Sequence, residues 1–273
     1  MRSQHLQFPA RVGYVARGIV FIILAYFTAL AAFDAHVRPV DSKDALRTLL
    51  AQPLGSTLLF SVAAGLLCFA LWRGAQCFGD ADRCGRDFKG VARRITYGAA
   101  GLFYAAFAAV AVSMIAGSSA GSTDSAVRDW TAWLLSKPMG QWLTGAVGIS
   151  IVVTGLCIGV AGVRAGFKER LDLAQKPRWL VTALGCFGYV TRAAVFAIIG
   201  LFLIYAALNS NAHEATGLAG ALEAIKAQQY GAILLGFTAA GLFAFGVYGI
   251  AEAAFRRIDG QSLSASQPSW LRA

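Results

Sequence analysis

Residues 13–18 read GYVARG, residues 96–101 read TYGAAG and residues 188–193 read GYVTRA, and a long apolar stretch follows each segment. Tyrosine stands second in all three segments, and arginine stands fifth in the first and the third. A motif that returns at long intervals indicates a structural repeat. We therefore predict the fold of one unit and expect the chain to contain three copies of it.

The apolar stretches are long enough to cross a membrane. A transmembrane helix needs about 20 predominantly apolar residues, and six segments have this length: about 13–33, 54–78, 95–117, 140–163, 186–208 and 230–255. The 273-residue chain is 57% hydrophobic and 14% charged, with a mean hydropathy of +0.59, whereas soluble domains carry about 25% charged residues. We predict an all-α integral membrane protein with one transmembrane domain over residues 1–273. A soluble domain, a disordered chain and a coiled coil are excluded.

The second helix of each unit repeats as well. Eight residues of the first copy return in the third at a constant offset of 176: Gly55, Leu58, Leu59, Ala63, Ala64, Gly65, Leu66 and Phe69. The middle copy matches at Gly140, and its later register stays open. The repeat units are about 11–79, 93–167 and 186–257. Each unit crosses the membrane twice, so the units share one orientation and an axis along the membrane normal. The sequence predicts a pseudo-threefold bundle of six helices.

A short segment with a polar start lies between the two long helices of each unit. Asp, Ser and Thr are favoured as N-terminal helix caps, and apolar residues three or four apart form one helix face. Asp41, Thr123-Asp124 and Thr216 precede such faces: Ala45, Leu46, Leu49 and Leu50; Val127, Trp130, Trp133 and Leu134; Leu218, Leu222 and Ile225. We predict three amphipathic helices on the external membrane face, with bare loops as the alternative.

The distribution of Lys and Arg predicts the orientation, because cytoplasmic flanks of membrane spans are enriched in both. Fifteen of them lie in 1–12, 79–94, 164–185 and 256–273, and six lie in the loops on the other side. Both termini are therefore expected in the cytoplasm. The formal net charge of +10 lies mostly beside the spans, where anionic lipid headgroups are the expected partners and nucleic acid is not.

Four ionisable residues lie inside predicted spans: Arg17, Arg73, Arg192 and Glu252. Such residues are rare in membranes and are candidate ligand-binding residues. All four lie near the cytoplasmic ends of their helices, and in a closed ring Glu252 faces Arg17. Three interpretations stay open. The arginines snorkel to lipid phosphates, or they form a cationic vestibule for an anionic solute or headgroup, or Arg17 and Glu252 form a purely structural pair.

Tyr14, Tyr97 and Tyr189 occupy the same position in the three copies. Tyrosine is favoured at membrane interfaces with its hydroxyl in water, so the three are predicted as interface anchors. A symmetric ring that lines a gate is the alternative. Gly155 and Gly159 favour close helix contact inside the monomer, with a dimer face or a hinge as alternatives.

The repeated motif and the Pro-x-Gly start of the second helix, PLG at 53–55 and PMG at 138–140, form one pattern over nearly the whole chain. This pattern resembles the bacterial membrane family known as domain of unknown function 1206. Two positions depart from it: Ala100 replaces the expected arginine, and QYG at 229–231 lacks the proline. The resemblance implies a multi-pass protein of the bacterial inner (plasma) membrane and implies no activity.

No residue set for catalysis or metal binding stands out. His5, His36 and His213 lie outside the apolar segments, and the five cysteines lack the spacing of a zinc or iron–sulfur site. We expect neither an enzyme nor a bound cofactor or metal.

Two functions stay open. The first is a non-catalytic membrane scaffold or assembly partner that docks a protein partner, and it predicts a dry, glycine-packed axis. The alternative is a small-anion transporter or channel along the pseudo-threefold axis, with inward-pointing arginines. The spans contain few polar residues away from their ends, which favours the scaffold.

Overall fold

The computed structural model describes residues 4–34, 37–78, 87–117, 123–165 and 178–255. Within these ranges the chain forms nine α-helices, with a short 3₁₀ turn at Ala212–Glu214: α1 (Gln4–Phe33), α2 (Ser42–Leu50), α3 (Gly55–Phe78), α4 (Phe88–Ile115), α5 (Thr123–Leu135), α6 (Gly140–Val163), α7 (Arg178–Leu208), α8 (Leu218–Lys226) and α9 (Gly231–Phe255).

Six helices are long and apolar enough to cross a membrane, which confirms the predicted spans: Ala10–Phe33, Gly55–Phe78, Arg93–Ile115, Gly140–Val163, Trp179–Leu208 and Gly231–Phe255. The all-α fold of three two-helix units is also confirmed. The first helix of every unit begins earlier than predicted, because hydropathy marks only the part that lies in lipid and the helix continues beyond it. Most basic residues behind the orientation prediction, in 79–86, 166–177 and 256–273, lie outside the described residues.

The six long helices pack side by side in the order α4, α3, α1, α9, α7 and α6. The closest pairs join different repeats, namely α1 with α9, α3 with α4, and α6 with α7. Inside the repeats, α1 packs on α3 and α7 packs on α9, whereas the described parts of α4 and α6 make almost no contact with each other. The bundle is therefore loosest within its middle repeat.

The same helix positions meet at all three contacts between repeats. An added Cβ would approach the facing backbone oxygen to 2.7–3.3 Å in each contact: Gly18 against Gly246, Gly101 against Ala70, and Gly155 against Ala193. Small residues at these positions let the backbones approach closely. Because the same positions meet in all three contacts, the second helix of the middle copy aligns with the other two copies in one register, which the sequence alone left open. The contact at Gly155 lies between helices of the same monomer.

A shared turn starts the second helix of every unit. Its first residue is a glycine whose N–H donates at 2.8 Å to the carbonyl three residues earlier: Gly55 to Gln52, Gly140 to Lys137, and Gly231 to Gln228. A Cβ on any of these glycines would collide with the end of the preceding short helix. Positions counted from this glycine are therefore equivalent in the three copies.

The three short helices lie at one end of the bundle, which we call the short-helix face. Asp41 is 1% exposed and caps α2, because its carboxylate accepts from the N–H groups of Lys43 and Asp44 at 2.7 and 2.8 Å. Its other oxygen accepts from the N–H of Thr123, the first residue of α5, at 2.7 Å. One carboxylate thus caps its own helix and binds the next repeat.

Asp124 makes the corresponding link to α8. Its carboxylate accepts from the N–H groups of Gly217 and Gly220 at 3.0 and 2.9 Å and from the hydroxyl of Thr216 at 3.2 Å. The prediction of Asp124 and Thr216 as caps of their own helices was therefore wrong. Asp124 lies within α5 and caps the helix of the following repeat.

Lys226 makes the third polar link on the short-helix face, between repeat three and repeat one. From the end of α8 its ammonium group donates to the carbonyls of Asp34 and Val37, at 3.0 and 2.6 Å, in the segment between α1 and α2. Polar links thus run from repeat one to two, from two to three and from three back to one. They hold this face together although α4 and α6 are loosely packed.

Candidate functional site

The four ionisable residues predicted inside the spans lie together at the opposite end of the bundle. Arg17 and Arg192 come from α1 and α7, and Arg73 and Glu252 come from α3 and α9. We call this end, where α1 begins and α9 ends, the terminal face. The four side chains and the rings around them form the arginine layer: Tyr14, Arg17, Phe69, Arg73, Tyr97, Tyr189, Arg192, Phe245 and Glu252.

Arg17 forms a buried ion pair with Glu252. Its Nη2 donates to Oε2 of the carboxylate at 2.6 Å, and the two residues are 4% and 5% exposed. A hydrogen bond between two charged groups is about twice as strong as a neutral one. The pair joins the first membrane helix to the last. The Nε–H of Arg17 is also buried, and no described residue accepts from it.

Two phenylalanine rings separate the three guanidinium groups. The central carbon of Arg17 lies 5.1 Å from the ring centroid of Phe69 and 5.0 Å from that of Phe245. Arg73 shares the first ring at 4.9 Å, and Arg192 shares the second at 4.5 Å. Cation–π attraction holds the guanidinium groups against these rings.

Arg73 replaces the arginine that the middle copy lacks. Ala100 of α4 stands at the arginine position of the motif, and a Cβ on its neighbour Gly101 would lie 3.2 Å from Cβ of Arg73. Across this contact α3 therefore supplies the guanidinium that α4 does not. Nη1 of Arg73 donates to Oε1 of Gln76 at 3.0 Å, and the ring of Tyr97 lies 5.0 Å from its central carbon.

Arg192 is surrounded by aromatic rings and differs from Arg17 in its partners. The ring centroids of Phe21, Phe196 and Phe245 lie 5.3, 5.4 and 4.5 Å from its central carbon. Within the described part of the chain, Arg192 has no ion pair and no hydrogen-bond acceptor. Among the described residues, no carboxylate therefore neutralises its charge, and the rings add a weak attraction.

The arginine layer carries more positive than negative charge. Its described residues include three guanidinium groups and one carboxylate. The Nε–H of Arg73 is buried without an acceptor among these residues, like that of Arg17. Unpaired charges and donors are costly in apolar surroundings. This arrangement is suited to an anion that supplies acceptor oxygens from outside the chain.

The three tyrosines of the repeated motif are part of the arginine layer. Tyr14 and Tyr97 are 0% and 8% exposed, and the Tyr189 ring packs on Phe245 and Tyr248 at 5.5 and 5.7 Å. The burial of Tyr14 and Tyr97 does not fit hydroxyl groups in water, whereas Tyr189 is half-buried. The role of the three tyrosines as interface anchors stays a prediction. Arg17 points to Glu252 and does not snorkel toward lipid.

Sequence reasoning did not select Phe69, Phe245 or Gln76 as site residues. A signal for the two phenylalanines was present, because they repeat at the offset of 176 among small and aliphatic residues. Gln76 stands where the third copy has Glu252, and only the repeat alignment identifies it. The ligand-binding role of Arg17, Arg73, Arg192 and Glu252 stays a prediction.

No three His, Cys, Asp or Glu side chains come together within the described ranges in an arrangement for a metal ion. The expectation that the protein holds neither metal nor cofactor stays a prediction, and so does the expectation that it is not an enzyme.

Comparison with known proteins supplies the family. Three segments, 12–79, 95–165 and 187–256, match the family described as Domain of Unknown Function (DUF1206). The chain is 32% identical to "Uncharacterized protein YxxB" of Bacillus subtilis (strain 168) over 251 residues, which cover 91% of this chain and 90% of that relative. No solved structure matches the chain. The three matched segments follow the three two-helix units, and the chain belongs to the DUF1206 family.

Proposed function

We propose that this protein binds a small anion in the arginine layer and carries it across the membrane. The supporting observation is the charge excess of the layer, in which three inward guanidinium groups face one carboxylate among the described residues. An arginine in a membrane helix costs about 3 kcal/mol on insertion scales. A bound anion offsets part of that cost and occupies the unused donors.

The direction of the side chains supports a solute site more than a lipid-holding role. Arg17 is enclosed between Glu252 and the rings of Phe69 and Phe245. Arg73 and Arg192 lie against the same two rings. Arginines that hold lipid phosphates would extend outward from the bundle, whereas these three converge on one another.

The conformation described here is closed toward the short-helix face. Leu24, Leu66 and Leu242 follow the arginine layer in that direction, and each is at most 1% exposed. Transport therefore includes a conformational change. Because α4 and α6 make almost no contact, the tight pairs of α3 with α4 and of α6 with α7 can move as units relative to each other at the lowest cost.

We place the protein in the bacterial plasma membrane with both termini in the cytoplasm. The support is the excess of Lys and Arg, fifteen against six, on the terminal side. The arginine layer then lies at the cytoplasmic end of the bundle. Alkaline phosphatase fused to the C-terminus is expected to be inactive, because it folds only outside the cytoplasm, and an active fusion would contradict this orientation.

A scaffold is the second candidate, and one observation favours it. The helix α6 is the least covered of the six spans. Large exposed apolar side chains recur on it every seven residues: Trp142, Ile149, Leu156 and Val163. Such a stripe is suited to docking another membrane helix. The scaffold proposal needs no anion and no movement of the bundle.

Uptake of labelled anions by proteoliposomes separates the two candidates. Nitrate, phosphate, sulfate and oxalate are offered to vesicles that contain the full chain. Transport predicts saturable uptake of at least one anion, about tenfold lower after Arg192→Gln. The control Arg93→Gln removes an exposed guanidinium of α4 and leaves uptake intact. Uptake equal to that of protein-free vesicles for all four anions would contradict transport and favour the scaffold.

A further inference from the structure

The three copies of the repeat can be compared position by position inside the arginine layer. Counted from the first glycine of the second helix, the equivalent residues are Gln76 in α3, Ala161 in α6 and Glu252 in α9. On the first helices, Arg192 of α7 is equivalent to Arg17 of α1. The position that Glu252 occupies in the third repeat is therefore taken by a glutamine in the first repeat and by an alanine in the second.

The contact of α6 with α7 repeats the contact of α9 with α1 in the same register. Gly155 meets Ala193 as Gly246 meets Gly18. Nearer the terminal face, a Cβ on Gly162 would lie 2.7 Å from Cβ of Tyr189, and the equivalent Ala253 packs in the cluster that contains Tyr14. By this equivalence, Ala161 occupies in α6 the position that Glu252 occupies in α9, and α6 packs against α7, the helix that carries Arg192.

The charge balance differs among the three contacts. Glu252 neutralises Arg17, and Gln76 accepts a hydrogen bond from Arg73. Ala161 carries only a methyl group at the equivalent position, and no described residue accepts a hydrogen bond from the Arg192 guanidinium. Ala161 is also exposed, whereas Glu252 is buried. The third contact therefore combines an unneutralised cation with a small, exposed side chain at the position of Glu252.

We infer that the anion binds at Arg192, where the repeat has Ala161 in place of a carboxylate side chain, and that it is a small carboxylate. This inference rests on the proposed function and names its site and ligand class. An alanine in place of a glutamate lacks one methylene and one carboxylate, which together have the size of acetate. The rings of Phe21 and Phe245 hold the guanidinium, and its N–H donors, which no described residue uses, match the two oxygens of a carboxylate.

Calorimetric titration of sodium acetate into the purified full-length protein in detergent tests the site. The variant Ala161→Glu places a tethered carboxylate beside Arg192, so acetate affinity is expected to fall at least about tenfold. The control Val163→Glu adds the same charge to α6 at an exposed position, about 200° further around the helix. It is expected to keep the acetate affinity. Unchanged acetate affinity in Ala161→Glu would overturn the inference.

A second variant tests the same idea without adding a charge. Glu252→Ala gives the contact of α9 with α1 the side chains that the contact of α6 with α7 has naturally. Acetate is expected to raise the unfolding midpoint of this variant more than that of the wild type, because it replaces the lost carboxylate beside Arg17. A midpoint that does not respond to acetate would contradict the inference.

The outcomes separate this inference from the proposed function. If nitrate, phosphate or sulfate binds in an Arg192-dependent way and acetate does not, the carboxylate assignment is wrong and the anion-binding function stands. If acetate binds equally to wild type and Arg192→Gln, the site assignment is wrong. If none of these anions binds to the wild type, the site and the proposed function are both wrong.

Discussion

Arg17 and Glu252 are 235 positions apart in the sequence, and a 2.6 Å ion pair between them closes the first membrane helix on the last. Both residues are almost fully buried, so neither charge has an alternative partner in water. The pair therefore joins repeats one and three at the terminal face, as the contact of Lys226 with the segment after α1 joins them at the short-helix face.

Loss of the Glu252 charge is expected to destabilise the protein strongly. Glu252→Gln leaves the guanidinium of Arg17 buried without its counter-charge, which costs about 3–5 kcal/mol. The unfolding free energy in mixed detergent micelles measures this cost. The exposed pair of Arg47 and Asp44, 3.0 Å apart, is the control, because Asp44→Asn is expected to cost less than about 1 kcal/mol.

Removing both charges is expected to be less harmful than removing one. The double variant Arg17→Met with Glu252→Met leaves no unpaired charge, so it is expected to be more stable than Glu252→Gln alone. A double variant that is as unstable as the sum of its single variants would show that the two side chains act independently.

Asp124 is expected to stabilise α8, although it belongs to the preceding repeat. Asp124→Ala removes three hydrogen bonds to the start of α8, and loss of such a cap costs about 1–2 kcal/mol. Hydrogen exchange of the amides in α8 is expected to become faster. Asp129→Ala, at an exposed position of the same helix, is the control. Equal exchange in both variants would contradict the capping role.

The close contact of α6 with α7 is expected to tolerate no larger side chain at Gly155. A Cβ there lies 3.0 Å from the backbone oxygen of Ala193 and 3.1 Å from Cβ of Phe196. Gly155→Leu therefore separates the helices and is expected to cost about 1–3 kcal/mol. Gly236→Leu is the matched control, because a Cβ at that position of α9 meets nothing within 4 Å. Equal losses of stability in the two variants would contradict this role of the close contact, because leucine has a higher helix propensity than glycine.

The architecture was predictable because its signals are local. The apolar stretches gave all six spans, the polar starts gave the three short helices, and the repeated GYVARG-type motif gave the three units. The expected proximity of Glu252 to Arg17 followed from closing the ring of three units. Each of these inferences needed only the spacing of apolar residues, the length of apolar stretches or the order of the three repeat units along the chain.

The remaining features depend on contacts between repeats and carry no local signal. Asp124 has the sequence of an ordinary helix start, and only the packed structure shows that it caps α8. Tyr14 has the sequence position of an interface residue, yet packing on Phe69 draws its ring inward. Arg73 compensates for Ala100 across a helix contact, which no reading of one helix at a time can reveal.

The middle repeat departs most from the shared plan. It has Ala100 in place of arginine and Ala161 in place of glutamate or glutamine, and its two helices pack least against each other. Compared with the other two repeats, the middle repeat thus lacks both the charged or polar side chains at these positions and the close packing of its two helices. Under the proposed function, the anion takes the place of the missing carboxylate at Ala161, and the tight helix pairs on the two sides of this unit move relative to each other during transport.

The thermal unfolding midpoint in detergent, titrated with nitrate, phosphate, sulfate and acetate, tests the central claim most directly. A ligand that binds only the folded state stabilises it by about 2.7 kcal/mol at a concentration of 100 Kd. The account predicts a saturable rise of the midpoint with at least one anion, lost in Arg192→Gln and kept in Arg93→Gln. Equal rises in wild type and Arg192→Gln, or a rise with anionic lipids alone, would contradict it.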